Sequence, residues 1–242
     1  MSFQGYVSSE LTHFVGRALR SKKQRYQLLA QILRSGRLKA PKPKGFELRP
    51  YVLQKNLSVN LSSNEAYRAS VVCFCDIPVD SLDIHMEKYG QFGIAFQKEF
   101  LLEQGALPVM YVPTNGRPAL LPYQGYGRGR VAFQSSSFDE FWKRYGRLSL
   151  VAKDLDESEA WHGDLKKLVE FLDMHVLSHM KFFDAKLQDW EEGNYYFERE
   201  WRASRDVKFR LNDIWRVILP PEFSRQFRRD FPKYDGEIVF SH

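Results

Sequence analysis

An α+β fold is what this sequence predicts, on three observations. Segments with apolar residues at helical spacing are mixed irregularly with short runs of apolar or alternating character, so helices and strands share the chain. There is no internal repeat and no low-complexity tract. The 242 residues are 43% hydrophobic and 15% aromatic along the whole length, enough apolar surface to offset ordering entropy without disulfides or a metal. A single mixed domain over residues 1–242 is the expectation, with two small domains as the alternative at this length.

The elements follow in order. Ser21-Lys-Lys-Gln24 has the form of a capping box, Leu28, Leu29, Ile32 and Leu33 share a stripe, and Gly36 supplies the stop, which predicts an amphipathic helix. Arg37–Arg49, with Pro41, Pro43 and Gly45 among lysines, is expected to be a surface loop. Val71–Cys75 is a buried-strand candidate closed by Asp76-Ile77-Pro78. A helix should begin near Asp80, with Leu82, Met86 and Tyr89 on one face, and end at Gly90. Phe92–Phe96 and Pro108–Val112 are expected strands around a short helix, Lys98–Gln104, stopped by Gly105.

Asn115–Arg130 carries four glycines and two prolines, matches neither the Walker nor the Rossmann glycine pattern, and is expected to be a mobile loop. Phe138, Phe141, Trp142 and Tyr145, then Leu165, Leu168, Phe171, Leu172 and Val176 within Glu157–Phe183, predict two core-facing helices. Over Tyr195–Ala203 the period changes to two, with Phe197, Trp201 and Ala203 opposite Glu198, Glu200 and Arg202, which predicts a strand with a charged face. Ile214–Leu219 and Glu237–Phe240 complete the strands, with a short helix after Pro220-Pro221 through Phe227.

Composition bounds the setting. No run approaches the roughly 20 apolar residues of a membrane span, and Met1–Glu10 lacks the pattern of a secretory signal, so a soluble, cytoplasmic protein with no membrane partner is expected. Cys73 and Cys75 alternate in a strand and cannot bridge without strain, and two cysteines make a poor metal site, so no metal is expected. The formal charge of +6 suits an anionic partner, and Arg17–Arg25, Arg37–Lys44 and Arg225–Lys233 concentrate it. A nucleic acid, a nucleotide or an acidic protein would satisfy this, as would a solvated basic surface. No H-E-x-x-H, G-x-S-x-G or two-metal carboxylate pattern is present.

The segments LTHFVG with LAQILRSGRL, VVCFCDIP, HMEKYGQFGIAF, PVMYV and EREWR, from Leu11 to about Arg202, resemble the AbiGi family of abortive-infection proteins. CFCDIP followed by H-x-x-x-Y-G-x-F-G-I is the most specific part. This resemblance implies antiviral defence, with a cognate toxin or antitoxin as partner. LTHF followed by a helix ending I-L-x-S-G-x-L also resembles the amino-terminal segment of ADP-ribosyltransferases. That likeness implies a central split β-sheet with flanking helices, NAD as substrate, His13 and Tyr89 as NAD-binding residues and Glu200 as the catalytic carboxylate. Only His13 lies in a matching local segment; Tyr89 and Glu200 correspond by order and type.

The chemistry is coherent. Cleaving the glycosidic bond of NAD develops positive charge on the ribose, which a carboxylate on a ribose hydroxyl stabilises. An imidazole can hold ribose hydroxyls and a tyrosine ring can stack on nicotinamide. Each residue also has an ordinary structural role open to it: Glu198 and Glu200 paired with Arg199, Arg202 or Arg205, His13 as a satisfied buried histidine, Tyr89 as core, His85 as packing. Two functions follow, an ADP-ribosyltransferase-like effector acting on nucleic acid or protein, and a non-catalytic antitoxin or scaffold that binds a toxin.

Overall fold

The computed structural model describes residues 8–48, 52–114, 137–156, 158–188, 191 and 194–241. It divides into two compact units, one of Met1–Pro41, Val71–Pro108 and Glu198–His242, the other of Lys42–Ser70 and Val109–Phe197. Both mix helix and strand, as expected of an α+β chain.

The first unit is built on a seven-stranded mixed sheet. In chain order its strands are β1 (Glu10–Phe14), β5 (Val72–Cys75), β6 (Gly93–Gln97), β7 (Ala106–Pro108), β10 (Glu200–Ala203), β12 (Ile214–Leu219) and β13 (Glu237–Phe240). The intervening strands are β2 (Arg37–Leu38), paired with β11 (Val207–Lys208), and in the second unit β3 (Leu53–Lys55), β4 (Tyr67–Ala69), β8 (Met110–Pro113) and β9 (Met180–Phe183). Sheet order is β13-β12-β6-β1-β5-β10-β7, and every pair is antiparallel except β12 with β13. A single residue pair, Thr12 with Cys75, joins β1 to β5.

Strand alternation gives the sheet two unlike faces. Leu11, Phe74, Ile94, Phe96, Val217 and Leu219 point into the main core with Tyr26, Leu29 and Leu33 of helix α1 (Lys22–Ser35). On the other face Cys75 and Ile218 pack with Leu82, Phe14 and Met86, beneath helix α2 (Asp83–Tyr89). A short helix α3 (Lys98–Glu103) follows β6.

Helix α1 starts where the sequence predicts, although the Ser21 side chain makes no capping bond; Ser21 contributes its carbonyl, which accepts from Arg25 N at 3.0 Å. It ends at Gly36, whose φ of +58° is left-handed. A Cβ there would lie 2.5 Å from the Phe209 carbonyl oxygen, and Phe209 N donates to Gly36 O at 2.8 Å. Conformation and crowding both demand glycine.

In the second unit, α4 (Ser137–Asp154) and α5 (Ala160–Phe171) accompany the antiparallel pair β3–β4 and the parallel pair β8–β9. Trp142 and Tyr145 of α4 are buried with Leu61, Val112, Leu177 and Phe182. Asn64 donates through Nδ2 to Phe182 O at 2.6 Å and accepts from Phe182 N at 2.8 Å, standing in for a neighbouring strand.

Three expectations are corrected. The helical pattern of Glu157–Phe183 ends in a π turn at Leu172–Val176 and a 3-10 turn, and Met180–Phe183 is strand β9, because burial alternates there with period two. Leu168 and Phe171 do not face the core; both are more than half exposed. The strand expected from Tyr195 begins only at Glu200, after a 3-10 turn at Tyr196–Glu198. Asn115–Arg130 lies outside the described residues.

Gly36→Ala is expected to lower unfolding free energy by about 1–2 kcal/mol, the cost of a left-handed non-glycine residue and displaced backbone. Urea unfolding followed by circular dichroism measures it, and an unchanged midpoint would contradict the packing described.

Candidate functional site

The pairing Glu200–Cys75 and Arg202–Cys73 between β10 and β5 fixes which side chains share a face. Cys75 also pairs with Thr12. Glu200, Arg202, Cys75 and Thr12 therefore lie on the face that α2 covers, opposite the main core. Glu200 is buried and held by Arg202, whose Nε donates to Oε1 and Nη2 to Oε2, both at 2.9 Å. This two-pronged contact neutralises the carboxylate and fixes its plane.

Immediately before β10, Arg199 has φ +43°, a left-handed value uncommon outside glycine. Its carbonyl accepts from Asp76 N at 3.0 Å. The turn breaks strand alternation, so Glu198 is not placed one strand step from Glu200 but beneath α2. There Glu198 is buried, accepts from Lys88 Nζ at 2.8 Å and accepts from the Tyr89 hydroxyl.

Tyr89 is the centre of this group. Its ring stacks on Phe14 at 6.1 Å, the Arg17 guanidinium lies 5.0 Å from its centroid and Lys88 Nζ 5.5 Å. Burial first, then the Glu198 charge and hydrogen bond, then Glu200, hold its hydroxyl far above the ordinary value of 10. The Tyr89 hydroxyl therefore stays protonated as a donor. His85, buried one turn earlier on α2, stacks on Phe14 at 6.4 Å, and burial lowers its pKa against the opposing pull of Glu198. Burial likewise pushes the Cys75 thiol up to about 12, which keeps it an inert thiol.

The structure thus brings Tyr89 and Glu200 to one site and leaves His13 elsewhere. His13 pairs with Ile94 on β6 and packs edge-on to Phe74 at 5.8 Å, both residues of the main core. Its Nδ1 lies 2.8 Å from Cys73 O, beyond the one residue pair that joins β1 to β5. Burial lowers the His13 pKa and this carbonyl partly restores it; no carboxylate contributes. The histidine closes the gap between two strands on the main-core face, while Tyr89 is grouped with Glu198 and Glu200 on the opposite face. Glu198 was visible as part of the E-x-E pattern; its partnership with Lys88 and Tyr89 depends on the left-handed Arg199, which carries no sequence signal.

Arg17, Arg25, Asp83, Met86, Lys88, Tyr89 and Gly90 line an open cleft of about 550 Å³ beside this group. Among the described residues no three His, Cys, Asp or Glu side chains gather as metal ligands, and no helix is long and apolar enough to cross a membrane.

A mixed α+β protein with a buried tyrosine–carboxylate group is the class these features define. The family described as "Putative abortive phage resistance protein AbiGi, antitoxin" matches residues 48–230. The chain belongs to the AbiGi family. It is 28% identical over 131 residues to the abortive phage resistance protein AbiGi of Lactococcus lactis subsp. cremoris, covering 48% of this chain and 52% of the relative, so it spans about half the length of that relative. No solved structure matches. The family match includes Tyr89, Glu198 and Glu200 but starts after His13 and α1, where the ADP-ribosyltransferase resemblance was carried.

The two depressed histidines set a pH dependence. A histidine whose folded pKa lies below its ordinary 6.5 binds fewer protons folded than unfolded. Its stabilising contribution is full above about pH 6.5 and declines as pH falls towards the folded value. Glu10, raised by burial, acts oppositely, stabilising below its ordinary value and losing this as pH rises through the folded one. Urea unfolding of wild type and His85→Gln between about pH 7.5 and 5.5 should therefore show a smaller loss on acidification in the variant. Equal losses would remove His85 from the linkage.

Proposed function

We propose that this protein acts in abortive infection as a non-catalytic antitoxin, binding a toxin protein through the helices of its second unit. The carrying observation is the apolar surface those helices leave uncovered. Leu148 and Val151 on α4, and Trp161, Leu168 and Phe171 on α5, are each at least 52% exposed. Their spacings of three, seven and ten residues place them in a stripe on each helix. Apolar groups at i, i+3 and i+7 on a helix are the pattern by which helical faces dock into partner grooves. The family's description as an antitoxin supplies the kind of partner, a protein toxin.

Phe171→Asp with Leu168→Asp is expected to leave the fold intact, since both side chains are exposed, and to abolish neutralisation. Co-expression with a candidate toxin, scored by growth and by co-purification, checks this. Full neutralisation by a folded double variant would overturn the docking face.

A second reading, an NAD-using ADP-ribosyltransferase-like effector, is favoured by one observation, the gathering of Tyr89, Glu198 and Glu200 beside an open cleft. On that reading Glu200, its plane fixed by Arg202, stabilises the developing ribose charge. A ligand that binds only the folded state adds about 2.7 kcal/mol at a hundredfold excess over Kd. NAD should then raise the melting temperature, and Glu200→Gln should lose NAD consumption, with a thermal melt showing whether the loss of the Arg202 partner has also weakened the fold. No thermal shift at millimolar NAD, with and without the partner, would leave the antitoxin reading alone.

A further inference from the structure

We infer that the cleft between α1 and α2 is a phosphate-binding site for a nucleotide-sized phosphate ester. The site lies wholly in the first unit and does not rest on the helical docking face of the second.

Three cations from separate segments meet around Tyr89 and Gly90. Arg17, in the loop after β1, lies over the Tyr89 ring at 5.0 Å, and Lys88 Nζ sits at 5.5 Å from the same centroid. Arg25, on α1, reaches Gly90, where an added Cβ would meet Nη1 at 2.7 Å. Gly90 has φ +107°. The backbone conformation requires glycine, and the guanidinium occupies the space a side chain would take.

The two arginines differ from Lys88 in how their charge is met. Lys88 is neutralised by Glu198 at 2.8 Å. Neither Arg17 nor Arg25 pairs with a carboxylate among the described residues, although Asp83 and Glu87 line the same cleft. Arg25 is held in place by a neutral acceptor instead, Nε donating to Leu19 O at 2.8 Å. That bond uses Nε alone and leaves the two terminal nitrogens, of which Nη1 lies against Gly90 at the cleft, as further donors. One face of Tyr89 is taken by Phe14 and the ring also carries Arg17, so recognition here is by charge and hydrogen bonding, not by stacking of a base on Tyr89.

A forked guanidinium fixed by its own Nε, with a second guanidinium nearby, suits a phosphate, which accepts several charge-assisted bonds at once. A volume of about 550 Å³ falls within the range of pockets that enclose a small ligand. A free nucleotide and the terminal phosphate of a nucleic-acid strand present the same group, and the two are separated by experiment.

The test is isothermal titration of the full chain with inorganic pyrophosphate, ADP and a short single-stranded RNA, at low and moderate ionic strength. Wild type should bind at least one of them, with affinity falling as salt rises. Arg17→Gln and Arg25→Gln should each weaken binding about tenfold, the value of one lost charge-assisted bond. Arg25→Lys, which keeps the charge but not the fork, should fall between, and thermal melts would show that each variant is folded. ADP binding tighter than RNA binding identifies a free nucleotide as the source, and the reverse identifies a strand. Absence of binding by all three probes, or binding that both glutamine variants retain in full, overturns the site. Because Leu168 and Phe171 take no part, failure here leaves toxin neutralisation untouched, and failure of neutralisation leaves this titration untouched.

Discussion

Burying a carboxylate is tolerable only when a cation or several donors go with it, and four such burials organise the first unit. Glu10 on β1 accepts from Arg216 on β12 at 2.7 Å, across the intervening β6. Asp76, just after β5, binds Lys98 at the start of α3 at 3.0 Å. Glu198 takes Lys88 and Tyr89 from α2, and Glu200 takes Arg202 from its own strand. Three of these four pairs join segments distant in sequence. Each is a condition on how the segments assemble, because displacing one would strand a charge in the interior at a cost of about 3–5 kcal/mol.

The candidate site is a consequence of those pairings. Helix α2 has only seven residues, too short to hold its own position in water. It is placed by Leu82 and Met86 against the sheet and by Lys88 and Tyr89 against Glu198. The cleft residues then follow, since Gly90 ends α2 and leaves room for Arg25 of α1. A strained residue, Arg199, makes the arrangement possible by turning Glu198 under the helix. Left-handed backbone costs of order 1–3 kcal/mol and persists only where its surroundings hold it, here through the Asp76 amide and the two glutamates on either side.

In the second unit a different balance operates. Its core is aromatic, with Trp142, Tyr145 and Phe182 buried, and its polar ties are Lys55 with Asp173 at 2.9 Å and Asn64 with Phe182. Helix α4 buries Trp142 and Tyr145 and exposes Leu148 and Val151, whereas α5 buries none of its residues and exposes Trp161, Leu168 and Phe171.

The sequence by itself determined the elements whose signals are local. Helix α1 with its Gly36 stop, strands β5, β12 and β13, the Asp83–Tyr89 helix and Trp142 as a core residue were legible because period and terminators are written in adjacent residues. Tyr89 and the E-x-E pair were likewise visible as residue types. Only the tertiary structure decided which of these meet. The register of β1 on β6 sends His13 to the main core, whereas the register of β10 on β5 sends Glu200 to the opposite face, and a strand's pattern alone does not say which face its neighbours will share. The exposure of Leu168 and Phe171 was hidden for a related reason. An apolar stripe records that a helix face seeks burial, but what it packs against is settled by the rest of the molecule, or by another one.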